Sequence, residues 1–222
     1  MGARTRQVMF LVPRLALTLS CAGCLSGNLQ YTPPQSAAPS APNSLTVDKS
    51  LDTVWKELVP ALGSRFFVIN NLDKESGLIN VSYSGNPESY VDCGQIESWV
   101  DNARGKRTYN MPGASSQSYE FKGSDGMLYF GERKMSLEGR MNLILESLSP
   151  TQTRITVNTR YVVSRNLQAR RVDLGMPNST ADSIAFNAGQ RAEFPQRGAT
   201  KPLTCQPTWK LETDVLDLVK RP

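Results

Sequence analysis

The sequence predicts an α+β fold, in which one twisted antiparallel sheet carries an N-terminal and a C-terminal helix packed on one face. Three patterns predict it: apolar residues at helical spacing near both ends of the folded part, a short hairpin after the first helix, and a long period-two alternation further on. Because the chain has 222 residues, a single domain with a substantial core is expected.

The first helix is expected to begin after Ser50, whose hydroxyl can cap it, and to end near Gly63. Pro60 removes a backbone donor and is expected to kink or shorten the last turn. The residues at helical spacing are Leu51, Val54, Trp55, Leu58 and Leu62. A strand over 65–69, a turn over 70–77 and a return strand over 78–83 follow.

The period-two pattern predicts a long hairpin over 135–146 and 155–163, with its turn at 149–151. One face carries apolar residues for the core and the other is expected to be exposed to solvent. Four polar residues on the exposed face are candidates for binding a partner, although exposure to solvent alone also explains why these positions are polar: Arg140, Asn142, Asn158 and Arg160.

The last helix is predicted after Thr208 as its N-cap, and Lys220 and Arg221 suit the negative end of its dipole. Its apolar stripe is Leu211, Val215, Leu218 and Val219. Long loops are expected near 84–126 and 170–204, since 84–126 is rich in Gly and Ser and 170–204 is irregular in pattern. One strand within the first loop is an alternative, because Tyr90-Val91 and Ile96–Val100 are apolar there. Each loop holds a small basic cluster suited to lipid phosphates or an acidic partner, although scattered loop charge is the commoner explanation: Arg104, Lys106, Arg107, Arg170 and Arg171.

Residues 1–23 have the features of an export signal: basic residues, a short apolar stretch and small residues at the end. The apolar stretch is interrupted by Pro13 and is too short to span a membrane. The sequence Ala-Gly-Cys at 22–24 resembles the lipobox of bacterial lipoproteins, which predicts lipidation at Cys24. Cleavage before Cys21, an ordinary soluble export signal and a true start at Met9 remain alternatives.

Residues 24–46 are expected to form the lipidated Cys24 and a disordered tether rich in Pro, Ser and Ala, and 47–222 the single folded domain. Leu25 and Ser26 lack the Asp that retains enterobacterial lipoproteins in the inner membrane. We therefore expect attachment to the outer membrane with the domain facing the periplasm. Without residues 1–23 the basic residues fall from 25 to 22 against 20 acidic ones, so the net charge drops from +5 to +2.

Cys93 and Cys205 remain once Cys21 is removed with the signal and Cys24 is lipidated. In an exported protein, two cysteines are expected to form a disulfide. A redox site is the weaker alternative, since the pair has no C-x-x-C spacing.

The chain has no histidine, which excludes histidine-based triads and HExxH zinc sites. It also lacks a G-x-S-x-G, an S-x-x-K, a phosphate-binding loop and a metal-spaced ligand cluster. We therefore expect no enzyme, no catalytic residues, no metal and no cofactor. Nucleic-acid binding is not expected, because no basic stripe is interleaved with aromatic residues.

The segment 51–83 resembles the helix-grip domains of BamC-like lipoproteins, which belong to the outer-membrane β-barrel assembly machinery. The resemblance rests on Val54-Trp55 with Leu58, on Phe66 to Ile69, and on Asp73 followed by Ser76-Gly77-Leu78-Ile79 and by Val81 and Tyr83. BamC-like proteins carry two such domains, whereas one fits here. The resemblance implies a non-catalytic domain that presents a surface to other envelope proteins.

The leading hypothesis is thus a lipid-anchored periplasmic binding or scaffold module, an accessory subunit of an envelope complex for assembly, secretion or conjugation. Its partners would be the membrane, through the lipid, and other envelope proteins. The second hypothesis is a periplasmic carrier of a lipid or another apolar small molecule, because a sheet that grips a helix can enclose a cavity. The third is an envelope hydrolase built on Ser with Asp or Glu.

Overall fold

The computed structural model describes residues 25–35, 43–65, 67–195 and 201–220. These residues form thirteen strands and two helices. In chain order they are β1 Ser26–Thr32, β2 Ser44–Val47, α1 Leu51–Gly63, β3 Phe67–Asp73, β4 Leu78–Gly85, β5 Val91–Asp92, β6 Gln95–Asn102, β7 Gly105–Pro112, β8 Gln117–Lys122, β9 Leu128–Ser149, β10 Gln152–Arg171, β11 Pro177–Asn187, β12 Ala192–Glu193, β13 Thr204–Pro207 and α2 Lys210–Lys220.

The predicted α+β, helix-grip class is wrong. The described residues are mostly β, with 60% in strands and 13% in helices. They form a seven-stranded antiparallel sheet and two three-stranded sheets. The physical reason is that these polar stretches satisfy their backbone hydrogen bonds by strand pairing, in the hairpins β6–β7, β8–β9 and β10–β11 and in the long-range pairs β1–β6 and β2–β10, and such pairing does not require a strong apolar alternation.

The two predicted long loops are where most of the additional strands lie. Residues 84–126 contain β5, β6, β7 and β8, and residues 170–204 contain β11 and β12. β6 and β7 form a hairpin, β8 pairs with β9, and β11 pairs with β10 over eleven residues. Because each pairing satisfies backbone donors and acceptors, these stretches need no strong apolar pattern to be strands.

Parts of the expected tether also form strands. β1 pairs with β6 and β2 pairs with β10, so the tether interpretation does not hold for Ser26–Thr32 or for residues 44–46, the part of β2 that lies in the expected tether. Burial alternates along β1 with period two, with Leu29 and Tyr31 on the half-buried side. This alternation is the pattern of a strand, which the lack of charge in the segment did not indicate.

The β9–β10 hairpin organises the whole chain. Its strands have 22 and 20 residues, beyond the predicted 135–146 and 155–163. Near its turn it is flanked by β4, β3 and β2, and in the other half by β8 and β11. The apolar face of the hairpin is buried as the alternation predicted, with Leu143, Ile155 and Val157 fully inside.

The helices form close to their predicted positions. The Ser50 hydroxyl accepts a hydrogen bond from the Thr53 N–H, and α1 continues through Pro60 to Gly63. α2 begins at Lys210, two residues after Thr208, whose hydroxyl accepts from the Lys210 N–H. Both helices bury apolar side chains in the core that lies against the turn half of the hairpin.

Glycine at position 139 lets α2 approach β9 closely. A methyl group on Gly139 would lie 2.6 Å from Cδ2 of Leu211.

The predicted turn over 70–77 is shorter than expected, because β3 continues to Asp73. Gly77 closes that turn with φ of +67°, a conformation that glycine adopts without strain.

Candidate functional site

A cavity of about 970 Å³ lies beside the half of the hairpin that is remote from the helices. β1 and β6 form one wall, and β8, β9 and β10 form the other. The aromatic and charged residues that line it include Tyr31, Tyr119, Phe121, Lys122, Asp125, Tyr129, Arg133, Arg165 and Lys201. A volume of this size is in the usual range for small-molecule sites.

Aromatic rings cover much of this cavity. Tyr119 and Phe121 point to the same side of β8 because they are two residues apart, and Phe121 is paired in register with Tyr129 of β9. The centroids of Phe121 and Tyr129 are 5.4 Å apart in a stacked arrangement, and those of Tyr119 and Phe121 are 5.6 Å apart. Burial raises the pKa of the Tyr119 phenol above its usual value, so this ring stays neutral.

Arg133 is buried in the wall of the cavity, with 3% of its surface exposed. Its Nε donates to the Ser115 carbonyl at 3.0 Å and its Nη2 to the Pro112 carbonyl at 3.0 Å. The guanidinium lies 6.0 Å from the Tyr119 ring centroid. No carboxylate of the described residues forms an ion pair with Arg133, and burial lowers the pKa of its guanidinium.

Arg165 is the second cation of this wall. Its side chain is 10% exposed, and its Nη2 donates to Asp182 at 2.9 Å and to the Pro195 carbonyl at 3.4 Å. The guanidinium lies 4.5 Å from the Phe194 ring centroid. Its Nε is buried and finds no hydrogen-bond acceptor among the described residues.

The cavity is positively charged. Among the described residues four cationic side chains line it, Lys122, Arg133, Arg165 and Lys201, against one lining carboxylate, Asp125. Asp125 is exposed, and it accepts a hydrogen bond from the Tyr129 hydroxyl at 2.8 Å. The Asp182 carboxylate beside Arg165 offsets one more charge, which leaves a net excess of two cations.

The four predicted partner-binding residues lie elsewhere, on the outward face of the hairpin. Asn142 and Asn158 are opposite each other in register, as are Arg140 and Arg160, and all four are exposed. The Asn80 amide donates to Asn142, the Asn43 amide donates to Asn158 at 3.3 Å, and Arg140 pairs with Glu138 at 2.7 Å. The structure thus brings these four residues together on one surface, apart from the cavity.

Cys93 and Cys205 form a disulfide, the pair expected from the sequence. Cys93 follows β5, Cys205 lies in β13, and both are buried.

The lipidation expected at Cys24 lies outside the described residues. Within the described ranges no group of three Cys, Asp or Glu side chains is placed to hold a metal ion, and neither helix is long and apolar enough to cross a membrane.

The two cavity arginines were missed at the sequence level, although a signal for them exists. The inward positions of β9 run 141, 139, 137 and 135, and the next one is Arg133. The inward positions of β10 run 157, 159, 161 and 163, and the next one is Arg165. Extending each alternation by two residues places an arginine on the apolar face of both strands.

Comparisons with protein-family models, with curated proteins and with solved structures find no match to this chain.

Proposed function

We propose that this chain is a non-catalytic binding protein whose cavity holds a small molecule with an apolar body and an anionic group. The observation that carries this proposal is the pair of buried arginines in an aromatic-walled cavity. Arg133 is 3% exposed, and among the described residues it has no carboxylate partner and the buried Nε of Arg165 has no acceptor.

A buried guanidinium is costly unless an anion compensates it. Carbonyl oxygens and a ring face supply only part of that compensation for Arg133. A carboxylate, sulfonate or phosphate in the cavity would compensate the charge of the two guanidinium groups that line it, and charge-assisted hydrogen bonds to such groups are the strong ones. The stacked rings of Phe121 and Tyr129 would cover the apolar body of the same ligand.

We place this ligand binding in the bacterial cell envelope. Export by residues 1–23 and lipidation at Cys24 would tether the protein to the outer membrane, facing the periplasm. There the cavity would receive or carry a lipid-like or aromatic acid. The proposal thus follows the carrier hypothesis, with the cavity at the remote half of the hairpin rather than between the last helix and the sheet.

The test is binding of two dyes to the purified protein: 8-anilinonaphthalene-1-sulfonate, an aromatic anion, and Nile red, which is neutral. We expect saturable one-to-one binding of both dyes. Arg165→Gln should weaken binding of the anionic dye by about tenfold or more, because a charge-assisted hydrogen bond is lost, and leave Nile red binding unchanged. The matched control is Arg154→Gln, since Arg154 is an exposed arginine at the other end of the same strand.

The outcomes separate the two parts of the proposal. Failure of both dyes to bind in a saturable way would reject the cavity as a binding site. Binding of both dyes with no effect of Arg165→Gln, or an equal effect of Arg154→Gln, would reject the anionic group. One-to-one stoichiometry is required, because loosely packed chains also bind the anionic dye.

A second candidate function is docking of a partner protein on the outward face of the hairpin. Arg140 and Arg160 are directly opposite in register, and like charges in such pairs are destabilising. Arg140 is paired with Glu138, whereas Arg160 forms no ion pair within the described residues. An acidic partner surface, such as that of another envelope subunit, would relieve this repulsion. The variant Arg160→Glu should then abolish crosslinking to that partner in intact cells, and unchanged crosslinking would reject this candidate.

A further inference from the structure

Three turns meet at the end of the molecule that is remote from the helices, and we call it the three-turn end. They are residues 103–104 between β6 and β7, 123–127 between β8 and β9, and 172–176 between β10 and β11. Contacts of the flanking strands bring them together: the Val172 N–H donates to the Leu128 carbonyl at 3.0 Å, and Arg107 of β7 forms an ion pair with Glu120 of β8. The Ser98 hydroxyl also donates to the Glu120 carbonyl at 2.7 Å.

Apolar side chains are exposed at this end. Eight large apolar side chains are exposed in the described structure, and four of them belong to the three-turn end. They are Met127 at 41%, Val172 at 41%, Leu174 at 63% and Met176 at 80% exposure. A cluster of this kind on a water-facing surface marks an interaction site.

Cations surround these apolar side chains. Arg107 and Arg171 are neutralised by Glu120 and Asp173. Four further cations remain, Arg104, Lys106, Lys122 and Arg170, against the carboxylates of Asp101 and Asp125. The three-turn end therefore carries two net positive charges beside an exposed apolar cluster.

The segment that follows Cys24 starts at the same end. β1 begins at Ser26, which is paired in register with Asp101 beside the β6–β7 turn. Gly27 packs against β8 so closely that a methyl group on it would lie 3.2 Å from Cβ of Lys122. Two residues of chain span at most about 7 Å, so a lipid on Cys24 would enter the bilayer next to the three-turn end.

We propose that the three-turn end docks on an anionic bilayer surface. Leu174 and Met176 enter the interface, while Arg104, Lys106, Lys122 and Arg170 contact lipid phosphates, each basic residue adding to the attraction. Lys122 and Asp125 also line the cavity, so docking would bring its mouth to the membrane. The charges and exposed apolar groups carry this proposal, and it does not depend on a ligand in the cavity.

The experiment labels single cysteines with an environment-sensitive fluorophore on the protein purified from membranes. Met176→Cys reports on the three-turn end, and the matched control is Val68→Cys on β3, a site 61% exposed and far along the sheet. The labelled protein is reconstituted in vesicles of phosphatidylethanolamine and phosphatidylglycerol with brominated acyl chains, which quench only fluorophores that reach the bilayer. We expect loss of most fluorescence at position 176 and none at 68.

Sedimentation with vesicles and addition of a purified envelope protein test the proposal further. If the purified chain carries no lipid, sedimentation with the same vesicles replaces reconstitution, and binding should weaken by about tenfold when phosphatidylglycerol is omitted. Equal quenching at both positions, no quenching at 176, or failure to sediment overturns the proposal. Protection of position 176 only after a purified envelope protein is added would assign the three-turn end to a protein partner and likewise overturn it.

Discussion

Arg133 and Glu212 are the two charged residues that the described structure buries most completely, with 3% and 1% exposure. They are compensated in different ways. The Tyr161 hydroxyl lies 2.8 and 2.7 Å from the two carboxylate oxygens of Glu212, and Glu212 sits in the first turn of α2, where the helix dipole favours a negative charge. Among the described residues Arg133 has two carbonyl acceptors, the Ser115 hydroxyl and a ring face but no carboxylate, which is why we place the function at Arg133 and a structural role at Glu212.

At this scale we predict that Tyr161→Phe destabilises the protein by about 2 kcal/mol, because it leaves a buried carboxylate without its donor. The measurement is the free energy of unfolding from urea titration. Tyr129→Phe is the control, since its hydroxyl donates to the exposed carboxylate of Asp125 at 2.8 Å and its loss should cost less than about 0.5 kcal/mol. Equal losses in the two variants would refute the structural role of the Tyr161–Glu212 pair.

At the scale of elements, the long hairpin joins two regions that do different things. Its turn half packs against α1 and α2, and its remote half forms the cavity wall and the three-turn end. Most strands have three to ten residues, so strands of 22 and 20 residues are unusual. They let one rigid element hold a helix-covered core and a ligand-sized cavity in a constant geometry.

The disulfide acts between elements as well, since it ties β13, just before α2, to the segment after β5. Cys93 and Cys205 are 112 positions apart, so the bond constrains a long loop in the unfolded chain. We predict that the double variant Cys93→Ala with Cys205→Ala loses about 4–5 kcal/mol of stability on the chain-entropy model.

Chemical denaturation with and without a reductant measures this effect. The reductant should lower the unfolding midpoint of the native protein and leave that of the double variant unchanged. A native protein that is insensitive to reductant under unfolding conditions would show that the disulfide does not contribute.

At the scale of the whole molecule, the tyrosines share one property. The chain has seven of them, and the pKa of every one is raised: Tyr31, Tyr83, Tyr90, Tyr109, Tyr119, Tyr129 and Tyr161. Burial is the main cause for six of them, and the hydrogen bond to Asp125 is the main cause for Tyr129. The pKa of Tyr90 rises to about 12.

A raised pKa means that folding favours the neutral phenol. The contribution of the tyrosines to the free energy of unfolding should therefore be complete below about pH 10, the pKa of an unfolded tyrosine, and be lost as the pH rises through about 12, the pKa of Tyr90. Absorbance at 295 nm, followed in native and in guanidinium-unfolded protein, measures the ionisation. The native curve should lie at higher pH, and superimposed curves would contradict this prediction.

The sequence predicted some elements of the fold correctly and missed others. Ser50 as a cap, the apolar stripe of α2 and the buried face of the hairpin follow from local spacing, because each depends on side chains a few residues apart. β1, β8 and β11 escaped prediction because their composition is polar: β1 pairs with β6 across 63 to 75 positions of the chain, whereas β8 and β11 pair with the neighbouring strands β9 and β10 without a strong apolar alternation. The candidate site was missed because Arg133 and Arg165 line a cavity only once β8 and β1 close around them.

By itself, the sequence determined the two helices, the apolar face of the long hairpin and the cysteine pair, because periodicity and residue chemistry are local properties that survive in any arrangement. The tertiary structure alone decided that the chain is mostly β, that a positively charged cavity opens beside the hairpin, and that exposed apolar turns meet at one end. The physical reason is that a strand edge is completed by whichever distant edge satisfies its backbone hydrogen bonds, and this choice depends on the packing of the whole chain.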